Sequence, residues 1–166
     1  MQHAKDSFYV ALRDRLAALN PARTVFLDGV LRPAVIVAEN EPSTPSVPLP
    51  DAFYLLWGAV REVKNAQRAP RPLLALDCQI VYRTIGTEAS SSVDRGRMLA
   101  ALDLELFEIS NPPEAVKRDY TQTTPLDLGT KVFWTRPQIV ETVALGTELR
   151  RTAKTAVYFY SEVNLG

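Results

Sequence analysis

One stretch, Arg71 to Ser110, constrains the fold of this chain more than any other, because a period-2 run, a small polar loop and a run at helical spacing follow one another without a break. In RPLLALDCQIVYRT, Leu74, Leu76, Cys78, Ile80 and Tyr82 fall on one face and Ala75, Asp77, Gln79, Val81 and Arg83 on the other. That is the signature of a half-buried strand. The loop IGTEASSS leads into VDRGRMLAALDLELFEIS, where Leu99, Leu102, Leu106 and Ile109 form one apolar stripe of a helix. A strand that feeds such a helix needs a sheet for the helix to cover. The unit is a packing module with no chemical group aimed at a substrate, and it points to a structural protein.

Composition enters through what it excludes. The chain has 166 residues, enough for a single domain that buries about two thirds of its unfolded surface. Nineteen basic and nineteen acidic residues cancel, so no general field attracts nucleic acid or anionic membrane, and sequence-specific nucleic-acid binding is not expected. The lone cysteine, Cys78, has no internal disulfide partner, and its place on the apolar face reads as a small buried hydrophobe. The amino terminus, MQHAKDSFYVALRDRL, lacks the continuous apolar core of a signal peptide, and no run reaches the length of a membrane span. Synthesis in the cytoplasm and no membrane partner are the expectations.

A first helix is expected over about Lys5 to Asn20, with Phe8, Leu12, Leu16 and Leu19 on one face, Asp6 or Ser7 as its cap, and Asn20-Pro21 as its stop. Two short apolar runs, RTVFLDGV and RPAVIVAE, suit strands, with Asp28-Gly29 either a turn between them or a bulge within one. The segment Asn40 to Pro50, NEPSTPSVPLP, carries four prolines and reads as an extended surface loop within the one domain. DAFYLLWGAVREV fits a strand or a short buried helix. Its aromatics favour a strand, with KNAQRAPRP as the polar connection of a hairpin.

Asn111-Pro112-Pro113 should end the central helix sharply, and Pro113 to Gly129 reads as mostly irregular. Two further strands are expected in KVFWTRPQIVETVAL and ELRRTAKTAVYFYSEV, joined near Gly146. In the second, Ala153, Thr155, Val157 and Phe159 alternate with Lys154, Ala156, Tyr158 and Tyr160, so the strand should lie inside a sheet. The sum is about six strands and two helices, clustered rather than alternating. This predicts an α+β fold, a largely antiparallel β-sheet with two principal α-helices packed on one face.

No glycine-rich phosphate loop, spaced cysteine or histidine ligand set, or G-x-S-x-G elbow occurs, so no catalytic, cofactor-binding or metal-binding residue is assigned and no cofactor is expected. His3 is the one histidine, and it lies in residues that commonly fray. Asp94, three residues after Ser91, reads as the partner in a capping box, and Asp103, Glu105 and Glu108 as a solvated helix face. Trp57, Trp134, Tyr158 and Tyr160 read as core and subunit-interface aromatics rather than a ligand platform. Arg150, Arg151 and Lys154 give the last strand a basic end that Glu141, Glu148 and Glu162 interrupt. That pattern reads as ion-pairing surface, with an inter-subunit or DNA-facing patch as the alternative.

An amino-terminal amphipathic helix, an antiparallel sheet with an extended loop, the strand CQIVYRT, the serine-rich turn into SVDRGRMLAALDLELFEI, and the closing strand TAKTAVYFY together resemble the tail terminator, or tail completion, proteins of tailed bacteriophages. The resemblance is one of element order over most of the chain, sharpest between Leu73 and Ile109. It implies an α+β subunit with no catalytic signature that assembles with itself into a ring, typically a hexamer, caps the tail tube protein and meets the head-tail connector protein. It also implies residence in the virion tail. The proline loop and the Gly86 to Ser92 loop would then be contact arms, making Glu41, Pro42, Pro45, Pro48, Glu88, Ser90, Ser91, Arg150 and Arg151 candidate assembly contacts. Two other readings stay open: another tail, neck or baseplate component, and a small-molecule-binding module with a pocket lined by Asp77, Arg83 or Tyr82.

Overall fold

A computed structural model describes residues 1–41, 47–64, 71–86 and 91–162, the side chains of residues 91 and 92 excepted. In chain order the elements are α1 (Gln2–Leu19), β1 (Thr24–Leu27), β2 (Val30–Pro33), β3 (Val35–Val37), a 3-10 turn (Ala38–Asn40), β4 (Phe53–Glu62), β5 (Leu73–Ile85), α2 (Ser91–Ile109), β6 (Glu114–Asp119), β7 (Leu126–Trp134), β8 (Gln138–Leu145) and β9 (Glu148–Tyr160). The fold is α+β. Its main sheet runs β3-β4-β5-β9-β7-β6, with β8 paired to β9 outside that path and β3 to β4 as the parallel pair. β1 and β2 form a separate hairpin.

The long strand β5 is the spine. Leu76, Cys78, Ile80, Tyr82 and Thr84 are buried, and Asp77 and Gln79, on the other face, are exposed. Both helices cover the even-numbered face. The Thr84 hydroxyl donates to the Arg95 carbonyl of α2, the Tyr82 hydroxyl to Asp103 of α2, and Phe8 of α1 meets Trp57 and Trp134 edge-on at 5.8 and 5.0 Å. The expected stripe of Leu99, Leu102, Leu106 and Ile109 is wholly buried there. β9 lies antiparallel to β5 along its whole length and repeats the alternation, with Ala153, Thr155, Val157 and Phe159 buried.

At the turn between β1 and β2, Asp28 (φ 49°) and Gly29 (φ 78°) both take the left-handed conformation. Two such residues twist a hairpin with the right hand, so the alternative of one bulged strand is discarded. Gly146 (φ 58°) opens the two-residue connection from β8 to β9.

Several expectations are corrected. The first helix begins at Gln2, so Asp6 and Ser7 lie inside it rather than capping it. Asp6 instead accepts from the Gln2 amide, and the buried Ser7 hydroxyl donates to the His3 carbonyl and accepts the Arg118 N–H at 2.9 Å, tying α1 to β6. The span Pro113 to Gly129 is not mostly irregular, because it contains β6 and the start of β7. The charges of EAVKRD hide that strand. Its one fully buried side chain is Lys117, whose stem lies in the interior while its ammonium donates to the Tyr160 carbonyl at 3.0 Å and sits 3.5 Å from Glu162.

The run KVFWTRPQIVETVAL is two strands, divided at Thr135 to Pro137, where proline offers no N–H to a ladder. The strands therefore number nine among the described residues rather than about six. The break lets β9 exchange partners: β8 lies beside its first half, and β7 meets it at Phe133–Tyr158 and Trp134–Val157. The suggested connection KNAQRAPRP lies largely outside the described residues, although the strands it would join, β4 and β5, are antiparallel neighbours.

Candidate assembly surface

Among the described residues the sheet's second face carries no helix. Across it, register places Leu56, Gln79, Lys154 and Gln138 in one row, and the side chains of Asp77 and Ala156 in the next. These rows floor an open concavity of about 600 Å³ that Thr135 helps to line. Asp77 is paired there with Arg61 of β4. Tyr82 points to the opposite, helix-covered face, so Asp77, Arg83 and Tyr82 do not converge on a single pocket.

β8 is the outermost strand beside β9, and only Val143 among its residues is even half-buried. Ile139, Val140 and Leu145 are exposed, Leu145 at 60%. On the opposite flank of the sheet, next to β3, the β1–β2 hairpin exposes Phe26 (68%), Val30 and Leu31 (65%). Among the described residues each feature has a free strand edge, since β8 pairs there with β9 alone and the hairpin with itself alone.

The sequence-derived contacts divide among these places. Glu41 is half-buried and paired with Arg32 of β2 at 2.7 Å, which fastens the start of the proline loop to the hairpin. The far end of the loop is fastened as well. The Pro48 carbonyl accepts from Arg83 Nε, and the Leu49 N–H donates to the Tyr54 hydroxyl at 3.0 Å. Pro42 and Pro45 lie outside the described residues, as do Glu88, Ser90 and the Ser91 side chain, and with it the capping box. Asp94 accepts the Arg95 N–H at 2.7 Å in the first turn of α2. Gly86, which opens the second loop, donates its N–H to the Thr147 carbonyl and so starts that loop at the β8–β9 turn.

Arg150 and Arg151 leave β9 on opposite faces. Arg150 donates to Glu148 at 2.8 Å on the uncovered face. Arg151 turns beneath α2 and donates to Asp103 at 2.8 Å, while the Tyr82 hydroxyl donates to the other oxygen of that carboxylate at 2.6 Å. Burial and the Asp103 carboxylate hold the Tyr82 hydroxyl well above the usual tyrosine range. Asp103 is therefore a clamp between helix and sheet rather than part of a solvated face. Glu105 is likewise drawn inward by Arg23 and Asn20, and Glu108 alone of the three stays exposed.

Nothing in the local sequence announces Arg15, which donates to the carbonyls of Ile109, Pro112 and Glu114 at 3.0, 2.8 and 2.9 Å and lies over the Trp134 ring. A cation there satisfies carbonyls that the end of α2 leaves without partners. Of the four aromatics, Trp134 is buried, and Trp57, Tyr158 and Tyr160 are half-buried. His3, expected to fray, stands in the first turn of α1, with Nδ1 3.8 Å from Asp119 and Nε2 3.8 Å from Glu162. Cys78 is buried, and desolvation pushes its thiol up to about 12, which suits a packing role.

No described helix is long and apolar enough to cross a membrane, and no group of three or more histidine, cysteine, aspartate or glutamate residues among the described residues could hold a metal ion. No protein-family model and no curated protein matches the chain. A solved structure known by a sequence label alone is similar to it, at 19% identity and a TM-score of 0.42 over 97% of each chain, a level that carries no argument about function.

Proposed function

We propose that this protein is a structural subunit of a bacteriophage tail, the terminator ring that caps the tail tube and joins it to the head-proximal connector. The observation that carries this reading is a pair of apolar strand edges, one on β8 and one on the separate β1–β2 hairpin, that are unpaired among the described residues, because a subunit with two different sticky edges is suited to a closed ring. The element order quoted above supplies the kind of ring. Each subunit would offer its flanks to its neighbours and a third surface to the last tube ring, ending polymerisation with a face that tube subunits cannot extend. The loops from Glu41 to Leu49 and from Gly86 to Ser92 are the arms assigned to tube and connector, and their described ends are fastened by Arg32 of the hairpin, Arg83 of β5 and the Thr147 carbonyl of the β8–β9 turn.

The test is deletion of the gene in the genome that carries it, complementation with variants, and electron microscopy of the particles. Loss of the protein should give tails that are too long or that fail to join heads. His3→Ala, Cys78→Ser and Asp77→Asn should restore normal particles, whereas shortening Glu41 to Leu49 should give folded subunits that do not cap. Normal tails in the deletion strain, or failure caused by a folded Asp77→Asn protein with normal loop variants, would overturn the reading. Another tail or neck component would show itself by co-purification with a different partner.

A further inference from the structure

We propose that the β1–β2 hairpin of one copy packs along β8 of the next, so that copies of this chain join head to tail through two different surfaces. The inference rests on the ring reading for its biological setting and on separate observations for its geometry. The hairpin is held to the core on one face by Val25 and Leu27, while Phe26 and its register partner Leu31 stand on the other face at 68 and 65% exposure, with Val30 exposed at its tip, so an apolar surface is left open there. β8 has the complementary need. It is an eight-residue strand whose outer edge has no partner among the described residues, with Ile139, Val140 and Leu145 in solvent, and edges of this kind accept further strands.

A second copy is the occupant that the placement favours. The sheet runs from β3, beside the hairpin, through β4, β5 and β9 to β8, so the two features stand on opposite flanks of the subunit. They cannot satisfy each other within one chain. Between copies, the hairpin of each molecule meets the edge of the next, and every copy uses both surfaces in the same way. Such a heterologous contact closes into a ring when the rotation per subunit divides a full turn.

Charge agrees with this pairing. Asp28 is exposed at the hairpin tip, where its carboxylate acts on Arg32 of the same hairpin through charge. At the other flank Arg95 reaches the β8–β9 turn, where it donates to the Gly146 and Glu148 carbonyls and has no carboxylate partner among the described residues. An anion at one tip and a cation at the other favour tip-to-tip alignment and disfavour hairpin against hairpin.

The experiment is a mixing test on the full chain. Wild-type protein should show a multimeric mass by light scattering over a concentration series. A hairpin variant, Phe26→Glu with Leu31→Glu, and an edge variant, Val140→Lys with Leu145→Lys, should each keep the circular dichroism of the wild type and run as monomers. Mixed, they should form a one-to-one heterodimer, because the mixture restores a single intact hairpin–edge contact. Wild type that stays monomeric throughout, a variant that assembles as wild type does, or a mixture that stays monomeric would overturn the inference. As a check that does not depend on charged substitutions, a Leu31→Cys, Val140→Cys chain should oxidise to a ladder of cross-linked copies, the native Cys78 being buried, and absence of the ladder would count against it. Normal tails in the gene deletion, with the heterodimer still formed, would remove the tail reading and leave this contact standing.

Discussion

Asp103 is the group whose loss should be most informative, because two partners from two strands meet on one carboxylate. Tyr82 is fully buried and donates to one oxygen, and Arg151 donates to the other. Tyr82→Phe removes one hydrogen bond to a charged acceptor, worth about 1.5–3 kcal/mol, and leaves Asp103 with its arginine. Asp103→Ala does more. It strands a buried hydroxyl, at a cost of about 1–3 kcal/mol, and leaves Arg151, whose Nε already lacks a partner, without its carboxylate. The arginine is 21% exposed, so water recovers part of that second loss. A total near 3 kcal/mol is expected, which for a chain of this size lowers Tm by roughly 6–12 °C. In a double-mutant cycle the Tyr82→Phe background should make Asp103→Ala less costly by about 1–2 kcal/mol, since the hydroxyl is no longer there to strand. Urea unfolding of the four proteins measures each term. Additivity within about 0.3 kcal/mol would refute the clamp, because two groups in one hydrogen bond cannot be lost independently.

Leu106→Ala, and separately Leu102→Ala, should each destabilise by about 2–5 kcal/mol in the same assay, and a loss well under 1 kcal/mol would mean that the stripe does not face the sheet. The raised Tyr82 hydroxyl makes the folded state hold its proton after the unfolded chain, ordinary near 10, has released it. Its contribution to stability is therefore complete below about pH 10 and lost as pH rises above, and Tyr82→Phe should flatten that alkaline fall in unfolding free energy. Cys78, with a thiol pushed up to about 12, should be silent to a disulfide reagent in the native protein and react at once in denaturant. Fast native labelling would contradict its burial.

What the sequence determined by itself was whatever has a local period. The alternation of Leu76, Cys78, Ile80 and Tyr82, the helical stripe of Leu99, Leu102, Leu106 and Ile109, and the alternation of Ala153 to Phe159 each name a buried face without reference to any other segment, and each is buried as named. Asp28-Gly29 stands between the two classes: the sequence left a turn or a bulge open, and the left-handed pair within the β1–β2 register decided for the turn. Tertiary structure decided the rest, and for a common reason: the deciding partner lies far along the chain. Lys117 makes a strand of a charged segment only because Tyr160 and Glu162 receive its ammonium, and Ser7 turns from cap to tether because Arg118 donates to it. Asp103 and Glu105 leave the solvated face because Tyr82, Arg151 and Arg23 reach them across the core. The candidate surface follows the same logic. Ile139, Val140, Leu145, Phe26 and Leu31 look like ordinary strand hydrophobes in sequence, and only the strand order, which leaves β8 and the hairpin each with an edge unpaired among the described residues, makes them exposed.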